Sequence, residues 1–241
     1  MPRFFVSPFS GDETTVSGKD GRHIARSLRM KPGEALTLCD GEGMDYRCEI
    51  SGFSGDEVLV RVLERIPSHS EPSIKVTVYQ GIPKGDKMDA IVQKAVELGA
   101  TEIVPVYMRR CVSRPDEKSA AKKAARWQKI ADEAAKQSGR GTLPQVLPPM
   151  GFSKAAQRAA ENGPVLLFYE GGGKPLSGVV SRDWKTVSFF IGPEGGVDEA
   201  EVQMLTENGA CKATLGPRIL RTETAPLAAL TAIMLLTGNL E

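Results

Sequence analysis

The sequence predicts an α/β fold, in which a C-terminal α/β domain with a parallel sheet follows a small N-terminal β-barrel. Three observations carry this prediction. Short alternating apolar runs punctuated by glycine fill residues 1–72, the pattern of short strands and tight turns. After residue 73, β-branched runs alternate with stretches of helical period, as in parallel strands joined by crossover helices. A chain of 241 residues, 41% hydrophobic and 25% charged, can bury two cores and is too apolar to be disordered.

In the N-terminal part, strands are expected over 35–39, 46–50 and 58–63, separated by Asp40-Gly41, Gly52 and Gly55-Asp56. Strands this short at this spacing usually close into a small barrel. One helix over 23–30 interrupts them and ends at Pro32-Gly33. The polar, proline-bounded stretch 67–72 reads as a linker, giving domains 1–72 and 73–241.

The second domain opens with a strand over 74–80. A helix over 86–98 follows, with Met88, Ile91, Val92, Ala95 and Leu98 on one face and Gly99 as its stop. Next come a strand over 101–107 and a long helix over 118–138, whose apolar stripe is Ala120, Ala124, Trp127, Ala131 and Ala134. Residues 164–169 and 187–191 are continuous apolar strands, as expected when both faces of a sheet are covered. A helix over 198–208 has Asp198 as N-cap, Glu201 at N3 and Gly209 just past its end. A strand over 211–215 and an apolar helix over 225–236, with Pro226 in its first turn, complete the chain.

Several function classes are excluded. No apolar run reaches the roughly 18–20 residues that cross a bilayer, and the N-terminus lacks the apolar core of a secretory signal. A cytoplasmic location without membrane contact is the expectation. Cys39, Cys48, Cys111 and Cys211 form no CxxC pair, and with only His23 and His69 no metal site is expected. A Cys39–Cys48 disulfide across a hairpin fits the spacing, but buried free thiols are the more ordinary reading. Dinucleotide, Walker and serine-hydrolase signatures are absent.

The net charge of +1 is unevenly spread. Between Arg109 and Arg140, ten Lys/Arg face Asp116, Glu117, Asp132 and Glu133. A second basic cluster is Lys19, Arg22, Arg26, Arg29 and Lys31. Such runs are either solvated helix faces or footprints for a polyanion.

Two loops carry the chemical signal. Gly192-Pro193-Glu194-Gly195-Gly196 follows the 187–191 strand, and Leu215-Gly216-Pro217-Arg218-Ile219-Leu220-Arg221-Thr222-Glu223-Thr224-Ala225 joins a strand to the last helix. Glycines let the backbone turn sharply and approach a ligand. Loops beyond the carboxyl ends of parallel strands are where α/β folds bind ligands. Each loop alone is explained by a tight turn or a helix cap; together they point to a site.

These strings resemble those of the bacterial 16S ribosomal RNA uridine-N3 methyltransferase family, within the SPOUT superfamily of knotted S-adenosylmethionine enzymes. The resemblance spans nearly the whole chain. It includes Arg3-Phe4-Phe5, His23-Ile24, Leu28-Arg29-Met30, Lys84-Gly85-Asp86-Lys87-Met88-Asp89, Gln93-Lys94-Ala95-Val96-Glu97-Leu98-Gly99, Arg126-Trp127 and Ala134-Ala135-Lys136-Gln137-Ser138-Gly139-Arg140. Two departures are Cys111, where the family commonly has serine after arginine, and Val197, where an aromatic or long aliphatic residue is usual.

The resemblance implies a PUA-like barrel over 1–72, a trefoil-knotted domain over 73–241, a homodimer with its sites near the interface, and 16S rRNA of the small ribosomal subunit as partner. S-adenosyl-L-methionine would be held by Gly192, Glu194, Gly195, Gly196, Leu215, Gly216, Ile219, Leu220, Thr224 and Ala225. Leu167 on a neighbouring strand would line the same pocket. Uridine N3 must lose a proton before attacking the methyl group, so Arg221 and Arg218 are candidate stabilisers of the uridine anion and Glu223 a candidate base or loop anchor. Phosphate or structural pairing for the arginines, and helix capping for Glu223, stand beside those roles. Arg3, Arg22, Arg26, Arg29, Arg110, Arg114 and Arg140 are candidates for RNA phosphates, with ion pairs to Asp116 or Glu133 as the alternative for Arg110 and Arg140. Another RNA or another atom, such as a ribose 2′-hydroxyl, remains an alternative target. A non-catalytic RNA-binding assembly factor is the alternative from outside enzymes, and a small-molecule α/β enzyme is disfavoured by the basic middle segment.

Overall fold

A computed structural model describes residues 1–240, apart from the Glu117 side chain. The chain forms two compact units, Met1–Glu71 with Ala135–Leu143, and Pro72–Ala134 with Pro144–Glu241.

The first unit is a five-stranded sheet of β1 (Arg3–Phe5), β2 (Glu13–Val16), β3 (Ala35–Cys39), β4 (Met44–Ser54) and β5 (Glu57–Pro67), in the order β1-β3-β4-β5-β2. Only the β1–β3 pairing is parallel. Val58, Val60 and Val62 alternate inward along β5 and pack with Phe4, Ile24, Leu36, Leu38 and Ile50, the period-2 burial expected of a one-sided sheet. A closed barrel was expected, but β1 and β2 are the two ends of this sheet, and strands of three and four residues offer few groups to close it. The expected helix over 23–30 is instead α1 (Gly18–Arg22) running into one turn of π-helix at His23–Ser27, after which Arg29 adopts φ 53°.

The segment Ala135–Leu143 packs with the first unit although it lies far along the chain. Arg140 explains this. Its guanidinium is 3% exposed and donates from Nε and Nη2 to the two carboxylate oxygens of Glu71, each at 2.8 Å. The amides of Gly141 and Thr142 and the Thr142 hydroxyl donate to the same carboxylate. Burial alone would raise the Glu71 carboxyl, but these donors, Arg140 foremost, hold it below its ordinary value.

The second unit is an all-parallel sheet of β6 (Lys75–Gly81), β7 (Glu102–Tyr107), β8 (Gln145–Val146), β9 (Met150–Gly151), β10 (Val165–Phe168), β11 (Lys174–Pro175), β12 (Thr186–Ile191) and β13 (Cys211–Thr214). Its order is β11-β13-β10-β12-β6-β7-β8, with β9 also against β7. The central strands β10 and β12 are apolar because both faces are covered: every residue of β10 is buried, and of β12 all but the first. Helices α2 (Lys87–Glu97), α3 (Glu117–Ser138), α5 (Glu199–Glu207) and α6 (Ala225–Leu236) match the expected stretches. Asp198 and Glu201 form the expected capping box on α5. A further helix, α4 (Phe152–Glu161), was not expected; its buried stripe is Phe152 with Ala155, Ala156 and Ala159, too small-sided to announce itself.

Among the described residues no helix is long and apolar enough to cross a membrane, and no cluster of potential metal ligands occurs. All four cysteines are free. Burial raises the Cys39 and Cys111 thiols and pushes that of Cys48 up to about 11.

Candidate functional site

Strands β13, β10 and β12 are neighbours and all parallel, so their carboxyl ends open on one edge. The loop after β12, the loop after β13 and the turn Tyr169-Glu170 after β10 meet there around a cleft of about 570 Å³. Phe168, Ile191 and Val197 contribute apolar floor, and glycines bring backbone to the surface. Gly196 and Gly216 sit at φ 73° and 101°, which only glycine adopts without strain. A Cβ on Gly192 would lie 2.8 Å from the Gly196 carbonyl carbon, so the 192–196 loop folds tightly on itself.

A buried hydrogen-bond chain ties the two loops together. Gln80, at the end of β6 and fully buried, donates from Nε2 to the Gly81 carbonyl and to Thr222 Oγ1, both at 3.0 Å. The Thr222 hydroxyl donates in turn to the Gly192 carbonyl at 2.8 Å. Thr222 is 6% exposed, so this link operates away from competing water.

A charged bridge lies on the cleft wall. Lys87 Nζ stands 3.0 Å from Glu194 Oε1 and 3.2 Å from Glu223 Oε2, and the Lys84 amide donates to Glu194 Oε1 at 3.1 Å. Glu194 holds the Lys87 ammonium above its ordinary pKa, with Glu223 assisting against a burial penalty. For Glu194, burial pushes upward but its own backbone amide, Lys87 and the Lys84 amide hold the carboxyl below the usual value. Glu223 is held low first by its own backbone amide, then, against burial, by Lys87 and Arg221.

The structure brings together most residues that the sequence singled out. Gly192, Glu194, Gly195, Gly196, Leu215, Gly216, Ile219, Leu220 and Ala225 line the cleft with Arg218, Arg221 and Glu223. Ile219, expected to help hold the cofactor, lines the cleft but is 87% exposed and so has an open side there. Thr224 does not line the cleft. Leu167 does not either; it is fully buried in the core beneath, because alternation along β10 turns it the opposite way from Phe168.

The arginines proposed for phosphates divide by environment. Arg3 donates to Asp45 at 2.8 and 2.5 Å and is largely buried, and Arg140 is enclosed by Glu71, so neither presents a guanidinium to a phosphate. Arg22 and Arg29 are exposed; Arg26 is exposed but paired with Asp56 at 2.6 Å. Arg114 is exposed and donates to the Met108 carbonyl at 2.9 Å. Arg110 belongs to the cleft loops: it donates to the Gly195 carbonyl at 3.0 Å and lies 3.5 Å from Glu170.

Sequence reasoning missed Gln80, Lys87, Thr222 and Glu170 as site residues. Gln80 was visible as the one amide in an apolar run, and Lys87 opens α2 within a quoted motif. Their partners become apparent only once β6 lies beside β12.

The cleft suits an adenosyl group with a charged tail. It has an apolar floor for a ring, glycine backbone for hydrogen bonds to ring edges and ribose, and Lys87, Glu194 and Glu223 on one wall.

A family model described as the RNA methyltransferase domain matches residues 69–234, and one described as the RNA methyltransferase PUA domain matches residues 16–63. The chain is 42% identical over 226 residues to ribosomal RNA small subunit methyltransferase E of Bacillus subtilis, covering 91% of this chain and 88% of that one. It is 33% identical over 244 residues to the protein of the same name from Mycobacterium tuberculosis, covering 98% and 92%. A crystal structure of ribosomal RNA small subunit methyltransferase E from Neisseria gonorrhoeae, bound to S-adenosylmethionine, superposes with TM-score 0.86 at 37% identity, covering 98% of each chain. A Legionella pneumophila methyltransferase structure, also with bound S-adenosylmethionine, gives 0.85 at 30% identity, covering 97% and 96%.

Proposed function

The chain belongs to the RNA methyltransferase domain family and is an S-adenosylmethionine-dependent methyltransferase of small-subunit ribosomal RNA; on that premise we propose that it methylates N3 of a uridine in 16S rRNA. The observation that carries the reading is the cleft itself: glycine loops at the carboxyl ends of β12 and β13, locked through Gln80 and Thr222, in a chain similar throughout to methyltransferases crystallised with that cofactor.

When bound, S-adenosylmethionine supplies an electrophilic methyl group on a sulfonium. Backbone of Gly192, Gly195, Gly196 and Leu215 through Leu220 holds the adenosyl part. Arg218 and Arg221, both exposed at the cleft, stabilise the uridine anion from O2 or O4. Glu223, kept ionised by its own amide and by Lys87, is a weak base; its role is to anchor the loop, while water takes the N3 proton. Arg22, Arg29 and Arg114 grip RNA phosphates, with residues 1–72 as the RNA-holding domain. A trefoil knot formed by the loops of the parallel sheet, a cytoplasmic location and a homodimer belong to the same reading. The dimer is supported by α6, where Leu235 is 52% exposed on the side away from the buried Leu230 and Ile233.

The test is methylation of small subunits and of free 16S rRNA by the purified protein, followed by nucleoside mass analysis and primer extension. N3 methylation blocks the pairing edge, so a single reverse-transcription stop at a uridine is expected. A methyl group on ribose, which leaves pairing intact, would overturn the assignment. Binding to RNA should weaken steeply with salt; a flat salt response would remove the phosphate contacts.

A further inference from the structure

The cleft contains a charge cluster that the adenosyl contacts do not require. Lys87, the first residue of α2, places its ammonium between Glu194 at 3.0 Å and Glu223 at 3.2 Å, and all three side chains line the cleft. Glu194 belongs to the loop after β12 and Glu223 to the segment entering α6, so one lysine serves a carboxylate from each ligand loop. Glu223 Oε2 is buried, so its 3.2 Å contact with Lys87 is shielded from bulk water. Without Lys87, the loops would turn two carboxylates toward whatever occupies the cleft, with only Arg221 left as a cation beside Glu223 and only backbone amides on Glu194.

That matters because the donor and its product differ in charge. In the transfer, the acceptor nitrogen's electron pair forms the new N–C bond. The C–S pair returns to sulfur, which changes from a cationic sulfonium to a neutral thioether, and the N3 proton passes to water. Unshielded carboxylates would stabilise the sulfonium ground state more than the transition state, in which that charge is already dispersing. They would also bind donor in preference to product.

Resting on the reading of this cleft as the methyl-donor site, we infer that Lys87 is a positioning and specificity-determining residue: as the shared counter-ion of Glu194 and Glu223, it keeps the cleft from favouring the sulfonium donor over its thioether product. A lysine that only braced the loops would change the affinity for both ligands alike.

Calorimetric titration of S-adenosylmethionine and S-adenosylhomocysteine into the full-length protein separates these roles. Lys87→Met should raise the ratio of product to donor dissociation constants by roughly fivefold or more, the scale of one unit charge acting across a partly exposed site. Lys87→Arg should keep the wild-type ratio. Glu223→Gln, with Lys87 intact, should move the ratio the opposite way, which provides a test even if Lys87→Met folds poorly. Parallel loss of both affinities in Lys87→Met, or an unchanged ratio in Glu223→Gln, would overturn the inference while leaving the donor site standing. Failure of wild type to bind either ligand would overturn the site reading as well.

Discussion

Replacing Thr222 with valine keeps the side-chain volume and deletes one hydroxyl, which isolates the link between the two cleft loops. The wild-type hydroxyl donates to the Gly192 carbonyl at 2.8 Å and accepts from Gln80 Nε2 at 3.0 Å. After the change, Gln80 Nε2 keeps the Gly81 carbonyl at 3.0 Å, while Gly192 is left only the long 3.5 Å contact from Gln80. One buried acceptor becomes nearly unsatisfied and one amide hydrogen bond is lost, a cost of about 2–4 kcal/mol. Part of that falls on the bound state, because a loosened 192–196 loop must be ordered again around the ligand. If 1–2 kcal/mol is lost at binding, the dissociation constant for S-adenosylmethionine rises about five- to thirtyfold. Thr222→Ser retains the hydroxyl and gives up about one methyl group, near 0.8 kcal/mol. Calorimetry for binding and urea unfolding for stability check both figures. Valine binding within twofold of wild type, or serine as weak as valine, would refute the argument that the hydroxyl latches the loops.

Three further outcomes are expected. Tryptophan at Gly216, where a Cβ meets nothing within 4 Å, or at Gly196, where it would fall 2.3 Å from a Glu170 oxygen, should abolish S-adenosylmethionine binding in calorimetry while circular dichroism stays native; unchanged binding would remove the loops from the site. Glu71→Ala removes the carboxylate that faces the buried Arg140 guanidinium and should cost about 3–5 kcal/mol in denaturant unfolding. Because the Glu71 carboxyl is depressed in the folded protein, its contribution is complete above the ordinary value of 4.5 and is lost as pH falls through the folded value. The stability gap between wild type and Glu71→Gln should therefore close in melts below that pH, and a constant gap would contradict the ion pair. Cys48, buried with its thiol pushed up to about 11, should resist iodoacetamide at pH 8 until the protein unfolds, whereas the partly exposed Cys211 should react first by mass spectrometry.

What the sequence disclosed follows from where the determining physics lies. Asp198, Glu201 and Gly209 announce α5 because caps are local: the groups that satisfy the helix end lie within a turn of it. The two glycine loops were legible for the same reason, since turn chemistry is written in adjacent residues. α4 was missed because alanines make up three of the four residues of its buried stripe, and small side chains give little contrast against a polar face. β1 and β2 were missed because three or four residues cannot establish a period. Leu167 was assigned to the cleft on strand position alone; the choice between Leu167 and Phe168 depends on alternation phase, which a continuous apolar run conceals.

The arginines show the limit most clearly. Arg140 sits in a basic run and reads like its neighbours, yet it is the most enclosed of them. What separates it is Glu71, 69 residues earlier, which brings a carboxylate and a receptive loop to the one guanidinium that can satisfy both its oxygens. Lys87 is the same case within the site: a lysine opening a helix is ordinary until Glu194 and Glu223, each from a different loop, close on it. Charge composition marks where cations lie along the chain. Which of them meets a phosphate, which holds a fold together and which balances a ligand site is decided by carboxylates supplied from elsewhere in the topology.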